Sequence, residues 1–211
     1  MFQDRTDAGQ QLADRLDQQD INADIVLGIP RGALPVARPV ADTLGATLDI
    51  VVAQKIGAPN NPELAIGAVA SDGTAWFNDD LIERFDVEQE YIEREREREA
   101  DNARQKLEQY RDETPDLAEK TIIVVDDGIA TGATAIACLR RVSEAGAMRV
   151  VLAVPVGPPD SIEQIRPEVD ELIALETPED FHAVGQFYRS FDQVSDEEAI
   201  EYLDTESETS G

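Results

Sequence analysis

Residues Val124 to Thr134 read VVDDGIATGAT. An apolar run, Thr121 to Val125, ends in two adjacent carboxylates. A turn holding Gly128 and Gly132 follows, and Gly132 to Ala145 then reads as a helix closed by Gly146. Strand, glycine turn and helix, with a further strand at Val150 to Val156, are the crossover unit of a parallel α/β sheet. Each part of the turn also has a chemical use. Glycines let backbone approach a ligand closely, and the amides at a helix start favour a phosphate. The hydroxyls of Thr131 and Thr134 can donate two more hydrogen bonds. Asp126 and Asp127, as ionised acceptors, suit the two hydroxyls of a ribose and can help hold a hydrated magnesium ion. Helix capping alone needs one carboxylate, not two acids, two glycines and two threonines. The lysine that a nucleotide-triphosphatase loop places before its Ser or Thr is missing, and no dinucleotide glycine fingerprint follows a strand.

Working outward, Ala8, Leu12 and Leu16 predict a helix over Arg5 to Gln18, and Asp24 to Gly28 predicts a buried strand. GIPRG breaks the pattern before a second helix marked by Leu34, Val36, Ala37, Val40, Ala41 and Leu44, which Pro39 is expected to kink. Leu48 to Ala53 reads as a strand. Residues Gln54 to Glu63 (QKIGAPNNPE) read as a loop long enough to serve as a mobile lid, with Ile66 to Ala70 returning as a strand. Alternating Glu and Arg over Val87 to Arg111 predict one long helix. Its sparse apolar positions suit a surface helix or one lying on a second copy of the chain, and a homodimer is expected. Leu172 to Leu175 gives a weaker strand. The expectation is one α/β domain over 1–204, a parallel sheet of about five strands flanked by helices, with a small hood over 176–204 and a frayed tail at 205–211.

Composition narrows the function. With 45 acidic against 18 basic residues the net charge is −27, which repels phosphate backbones and argues against nucleic-acid binding. Such a surface suits concentrated salt, a halophilic signature, and no calcium-loop spacing is present. No stretch reaches the ~18 apolar residues of a membrane helix. Without a secretion-type start, the expectation is a soluble cytoplasmic protein with no membrane partner. Cys138, the single cysteine, reads as a small core residue, and His182, the single histidine, as a surface or structural one.

Taken together, VVDDGIATGAT closely resembles the phosphoribosyl pyrophosphate signature of the type I phosphoribosyltransferases. GIPRGALPVA (28–37) and KIGAPNNPELAIGAVA (55–70) precede it in the family's order. The resemblance implies the family's fold, magnesium as cofactor, and transfer of a ribose phosphate from phosphoribosyl pyrophosphate to a nitrogenous base. It places the ribose diol on Asp126 and Asp127. The 5-phosphate would lie on Gly128 and the run Ala130, Thr131, Gly132, Ala133 and Thr134, and the pyrophosphate on Arg31 and Gly32. Lys55 stands where the family's flexible loop carries a basic residue, although a lysine there can also be merely solvated. Glu63 in the same loop is a candidate acid or base, or else a local cap. In the variable hood, Phe181 to Phe191 concentrates aromatic residues, of which Phe187 and Tyr188 are candidates to stack on a base or are ordinary core. Enzymes of this kind for hypoxanthine and guanine usually carry an aspartate just before the loop threonine. Ala130 stands there, which disfavours that acceptor and leaves adenine, xanthine, uracil and orotate open. The alternatives are a non-catalytic binder of a phosphoribosyl ligand on the same fold and, from the acidic pair alone, a receiver-like signalling domain, whose acids would follow the first strand.

Overall fold

The computed structural model describes residues 1–111 and 114–204, so the expectation for the tail at 205–211 lies outside the described residues. Helix α1 (Arg5–Gln18) opens on Asp4, whose side chain accepts from the Asp7 amide. It is followed by β1 (Ile25–Gly28), α2 (Leu34–Leu44) and β2 (Thr47–Ile50), then much later by β6 (Thr121–Val125), α5 (Ala133–Glu144), β7 (Arg149–Val156), α6 (Pro159–Ile165) and β8 (Glu171–Glu176). These strands form one parallel sheet in the order β2-β1-β6-β7-β8. The fold class is the one expected. Both faces of the sheet are covered, which is why β6 reads as a continuous apolar run rather than an alternation. Its Ile122 and Val124 face the core under α5, and Ile123 and Val125 face the core under α1 and α2. Helix α2 is continuous through Pro39.

Between β2 and β6 in chain order comes a second, smaller sheet. Residues 54–63 are not a loop. They belong to an antiparallel hairpin, β3 (Ala53–Ala58) and β4 (Asn61–Ala70), joined by β5 (Ala75–Phe77) into a three-stranded sheet. The turn is only Pro59–Asn60, and the strands persist because Ile56, Ala58, Ile66 and Val69 bury themselves against Ile92 and Ala100 of α4 (Gln89–Tyr110). A short helix α3 (Asp79–Arg84), capped by the Asn78 side chain on the Leu81 amide, precedes α4. Neither β5 nor α3 was legible in the sequence. The expected strand Leu48 to Ala53 ends earlier, at Ile50, because Val51 and Val52 carry the chain from one sheet into the other.

The first residues of the chain meet the segment at 187–189. The Phe2 amide donates to the Phe187 carbonyl at 2.8 Å, and the Arg189 amide donates to the Phe2 carbonyl at 2.9 Å. The small helix α7 (Asp196–Asp204) packs on α2, opened by a reciprocal cap between Ser195 and Glu198.

Candidate functional site

Strands β1 and β6 are neighbours, but the chain leaves β1 toward β2 and leaves β6 toward β7. Their exit loops therefore diverge at the carboxyl ends of the strands and open the crevice in which ligands of such sheets bind. Register sets both loops at one level, since Gly28 pairs with Val125, and the Ile29 amide extends the ladder to the Val125 carbonyl at 3.0 Å. The Pro30–Arg31 peptide is cis. At Gly32 the loops touch: a Cβ there would lie 2.2 Å from Oδ2 of Asp127. Only glycine leaves the second acid in place.

The two acids are held differently. Asp126 Oδ1 accepts from the Asp127 amide at 2.8 Å. Burial first, and the neighbouring Asp127 charge second, push its carboxyl well above the ordinary carboxylate range. Asp127 Oδ2 accepts from Arg5 Nε at 2.8 Å, and burial raises this carboxyl too, although Arg5 opposes the shift. Arg5 is itself fixed, donating to the Asp192 carbonyl at 2.7 Å and lying over the Phe191 ring at 3.7 Å. The Tyr188 hydroxyl donates to the Asp127 carbonyl at 2.6 Å while its ring packs on Phe2 and Phe191. The first helix and the hood together lock the second acid, and the first acid carries the larger cost of buried charge.

Beyond the acids, Asp126, Gly128, Ala130, Thr131, Gly132 and Thr134 line a cleft of about 160 Å³. Gly132, at φ 79°, turns the chain in the left-handed region, where a Cβ would also meet Ile165 at 2.9 Å. It leads directly into α5 at Ala133, and no side chain caps that helix. The first amides of α5 thus lack intrahelical acceptors and offer donors and partial positive charge to an anion. Ser161 donates to the Ala130 carbonyl at 2.6 Å and fixes the loop from α6.

The remaining candidates are spread more widely. Arg31 is half-buried and its nearest carboxylate is Asp196, at 3.7 Å. Lys55 and Glu63 face each other across the hairpin at 3.3 Å, Glu63 almost fully exposed. Their side chains pair with each other and not with the 126–134 loop. Phe187 stacks on Phe181 with centroids 5.5 Å apart, whereas Tyr188 is buried. His182 lies on the surface beside Asp180 at 3.4 Å, and Cys138 is buried in the core. No group of three or more His, Cys, Asp or Glu that could hold a metal occurs among the described residues, so the chain offers the two acids of the loop and no closed metal cage. Sequence reasoning missed Arg5, Ser161 and the anchoring role of Tyr188. All three act across long stretches of chain, and no local pattern marks them.

Fold and loop together define the class, an α/β protein whose parallel sheet has a topological switch with two buried acids and an uncapped helix start at one crevice. Residues 3–192 match the phosphoribosyl transferase domain family, and the chain belongs to that family. Over 207 residues, 97% of the chain, it is 44% identical to a protein of Mycobacterium tuberculosis provisionally named a phosphoribosyl transferase, in two strains. The alignment takes in 46% of that protein, so the chain spans about half the length of the curated relatives it matches. Among solved structures, the protein TT1426 from Thermus thermophilus superposes with a TM-score of 0.82 at 41% identity, covering 96% of this chain and 97% of that one. A hypothetical protein from Neisseria gonorrhoeae, solved with bound ppGpp, reaches a TM-score of 0.51 at 14% identity over 96% and 97% of the chains, a likeness of fold alone. No helix among the described residues is long and apolar enough to cross a membrane.

Proposed function

We propose that the protein transfers the 5-phosphoribosyl group of phosphoribosyl pyrophosphate to a ring nitrogen of a base. In that step the bond from the anomeric carbon to the pyrophosphate oxygen breaks, the nitrogen–carbon bond forms, pyrophosphate leaves and the base loses a proton. One observation carries the reading: two adjacent buried acids at the mouth of a cleft that ends on the uncapped start of α5. Asp126 accepts the ribose hydroxyls together with the free oxygen of Asp127. The amides and hydroxyls from Gly128 to Thr134 take the 5-phosphate. Arg31 and the open backbone at Gly32 receive the pyrophosphate. Magnesium suits a site with two carboxylates and no further protein ligand, since that ion keeps several waters and binds largely through phosphates; Asp126 and Asp127 would hold its waters, and it would screen the leaving group.

In this reading the hairpin tip closes over the donor. The Lys55–Glu63 ion pair is exposed and so contributes little, which leaves Lys55 available to exchange a carboxylate for a phosphate. Glu63 is then delivered as an acid or base for the acceptor, a role Ala130 cannot fill. Phe187, stacked on Phe181 in the hood, is the surface for a flat heterocycle, while Tyr188 positions Asp127. The test is a panel of purine and pyrimidine bases with phosphoribosyl pyrophosphate and magnesium in molar potassium chloride, followed by pyrophosphate release. Release with at least one base is expected. Donor binding without release for every base would replace transfer with the ligand-binding reading, which the strand pairing of the hairpin, irregular only toward its tip, favours over a mobile lid.

A further inference from the structure

The chain has only three lysines among 18 basic residues, and the reading above uses Lys55 alone; Lys120 donates to the Asp116 carbonyl beside it in the chain, which leaves Lys106 as the one that reaches the loops at the crevice. It sits near the carboxyl end of α4, a helix whose arginines at 98 and 104 are spent on ion pairs with its own acids. Lys106 instead turns to the loop after β1. Its Nζ donates to the Pro30 carbonyl at 3.1 Å, one residue before Arg31. It makes no salt bridge among the described residues. Burial and the Arg31 charge both act to lower its proton affinity, opposed by Asp196.

Two half-buried cations, Arg31 and Lys106, therefore meet at the same loop, and Asp196 at the first turn of α7 lies 3.7 Å from Arg31 and also acts on the Lys106 charge. Asp196 is in turn held by the Tyr110 hydroxyl, from the last turn of the same α4. Gathering two like charges near a single carboxylate is unfavourable unless an anion of higher charge can replace that carboxylate.

We propose that Lys106 is the second cation of the pyrophosphate subsite, joined to Arg31, and that Asp196 is an internal place-holder which the incoming pyrophosphate displaces. The inference rests on the donor reading given above. It gives α4 a part in the site: its first half supports the hairpin and its last turns supply a charge to the loop that meets the leaving group.

The test measures the affinity of inorganic pyrophosphate with magnesium, and separately of ribose 5-phosphate, by calorimetry in molar potassium chloride. The proteins are the wild type, Lys106→Gln, Lys106→Arg and Asp196→Asn, each checked for folding by melting. Loss of a charge-assisted contact should weaken pyrophosphate by about tenfold in Lys106→Gln. Lys106→Arg should recover most of that loss, and Asp196→Asn should bind pyrophosphate more tightly than wild type. Ribose 5-phosphate, which uses the 126–134 loop, should bind all four alike. A merely structural Lys106 would weaken both ligands together and give no gain in Asp196→Asn, and that pattern overturns the proposal. So does a wild type that binds ribose 5-phosphate but not pyrophosphate, in which case the reading of the loop still stands. If pyrophosphate binds with the expected dependence on Lys106 but no base ever releases it from the donor, the subsite holds and the transfer reading fails.

Discussion

At the scale of single residues, the two acids separate function from stability. Asp126 is buried with its charge weakly compensated, so ionisation costs the folded state, whereas its one hydrogen bond survives in an asparagine. Asp126→Asn should therefore abolish donor binding and raise the melting temperature. The sign follows from linkage: a carboxyl raised by folding costs nothing where it is protonated in both states, and its cost grows as pH rises above the ordinary carboxylate value. The gain in Asp126→Asn should be present at neutral pH and vanish near pH ~4; melting curves across that range check it, and a gain that grows toward acid would contradict the assignment. Asp127→Ala should go the other way. It strips the partner from a nearly buried Arg5 and should cost about 2 kcal/mol, measured by denaturant unfolding. The paired aspartates and the run to Thr134 were legible because their chemistry lies in consecutive residues. Arg5 was not, because its contact to Asp127 spans 122 positions and an arginine in a first helix looks like any solvated one.

At the scale of elements, β1, α2, β6, α5 and β7 were readable because a sheet covered on both faces leaves unbroken apolar runs. The hairpin was misread because Gly57, Pro59, Asn60, Asn61 and Pro62 all carry turn chemistry, and the apolar partners that keep its strands paired lie on α4, some 30 residues away in the chain. The Tyr91 hydroxyl pins this hairpin by donating to the Gly57 carbonyl at 2.9 Å. Removing it in Tyr91→Phe should cost about 1 kcal/mol of local stability. Hydrogen exchange should accelerate by roughly fivefold in the amides of β3 and β4 and not in β6 or β7; unchanged exchange would mean that the apolar contacts alone hold the element. If the hairpin closes on the departing pyrophosphate, Lys55→Ala should lower turnover far more than donor affinity, since charge develops there only as the bond breaks. Equal losses in both would make Lys55 a ground-state contact.

At the scale of the whole molecule, a net charge of −27 repels itself, and salt is what screens it. Melting temperature should climb from low to molar potassium chloride; a flat or falling curve would leave the acidic surface unexplained. The same charge sharpens the proposal for the crevice, because an overall acidic protein can bind a polyphosphate only where it gathers cations and helix amides, and the proposed site draws on Arg31, Lys106 and the start of α5 for that purpose. The central claim is that the loop from Asp126 to Thr134 holds a phosphorylated ribose. It is tested most directly by a crystal structure with phosphoribosyl pyrophosphate and magnesium bound. The account predicts the 5-phosphate on the amides that open α5 and the ribose hydroxyls on Asp126 and Asp127; a donor lodged anywhere else, with that cleft unchanged, would contradict it.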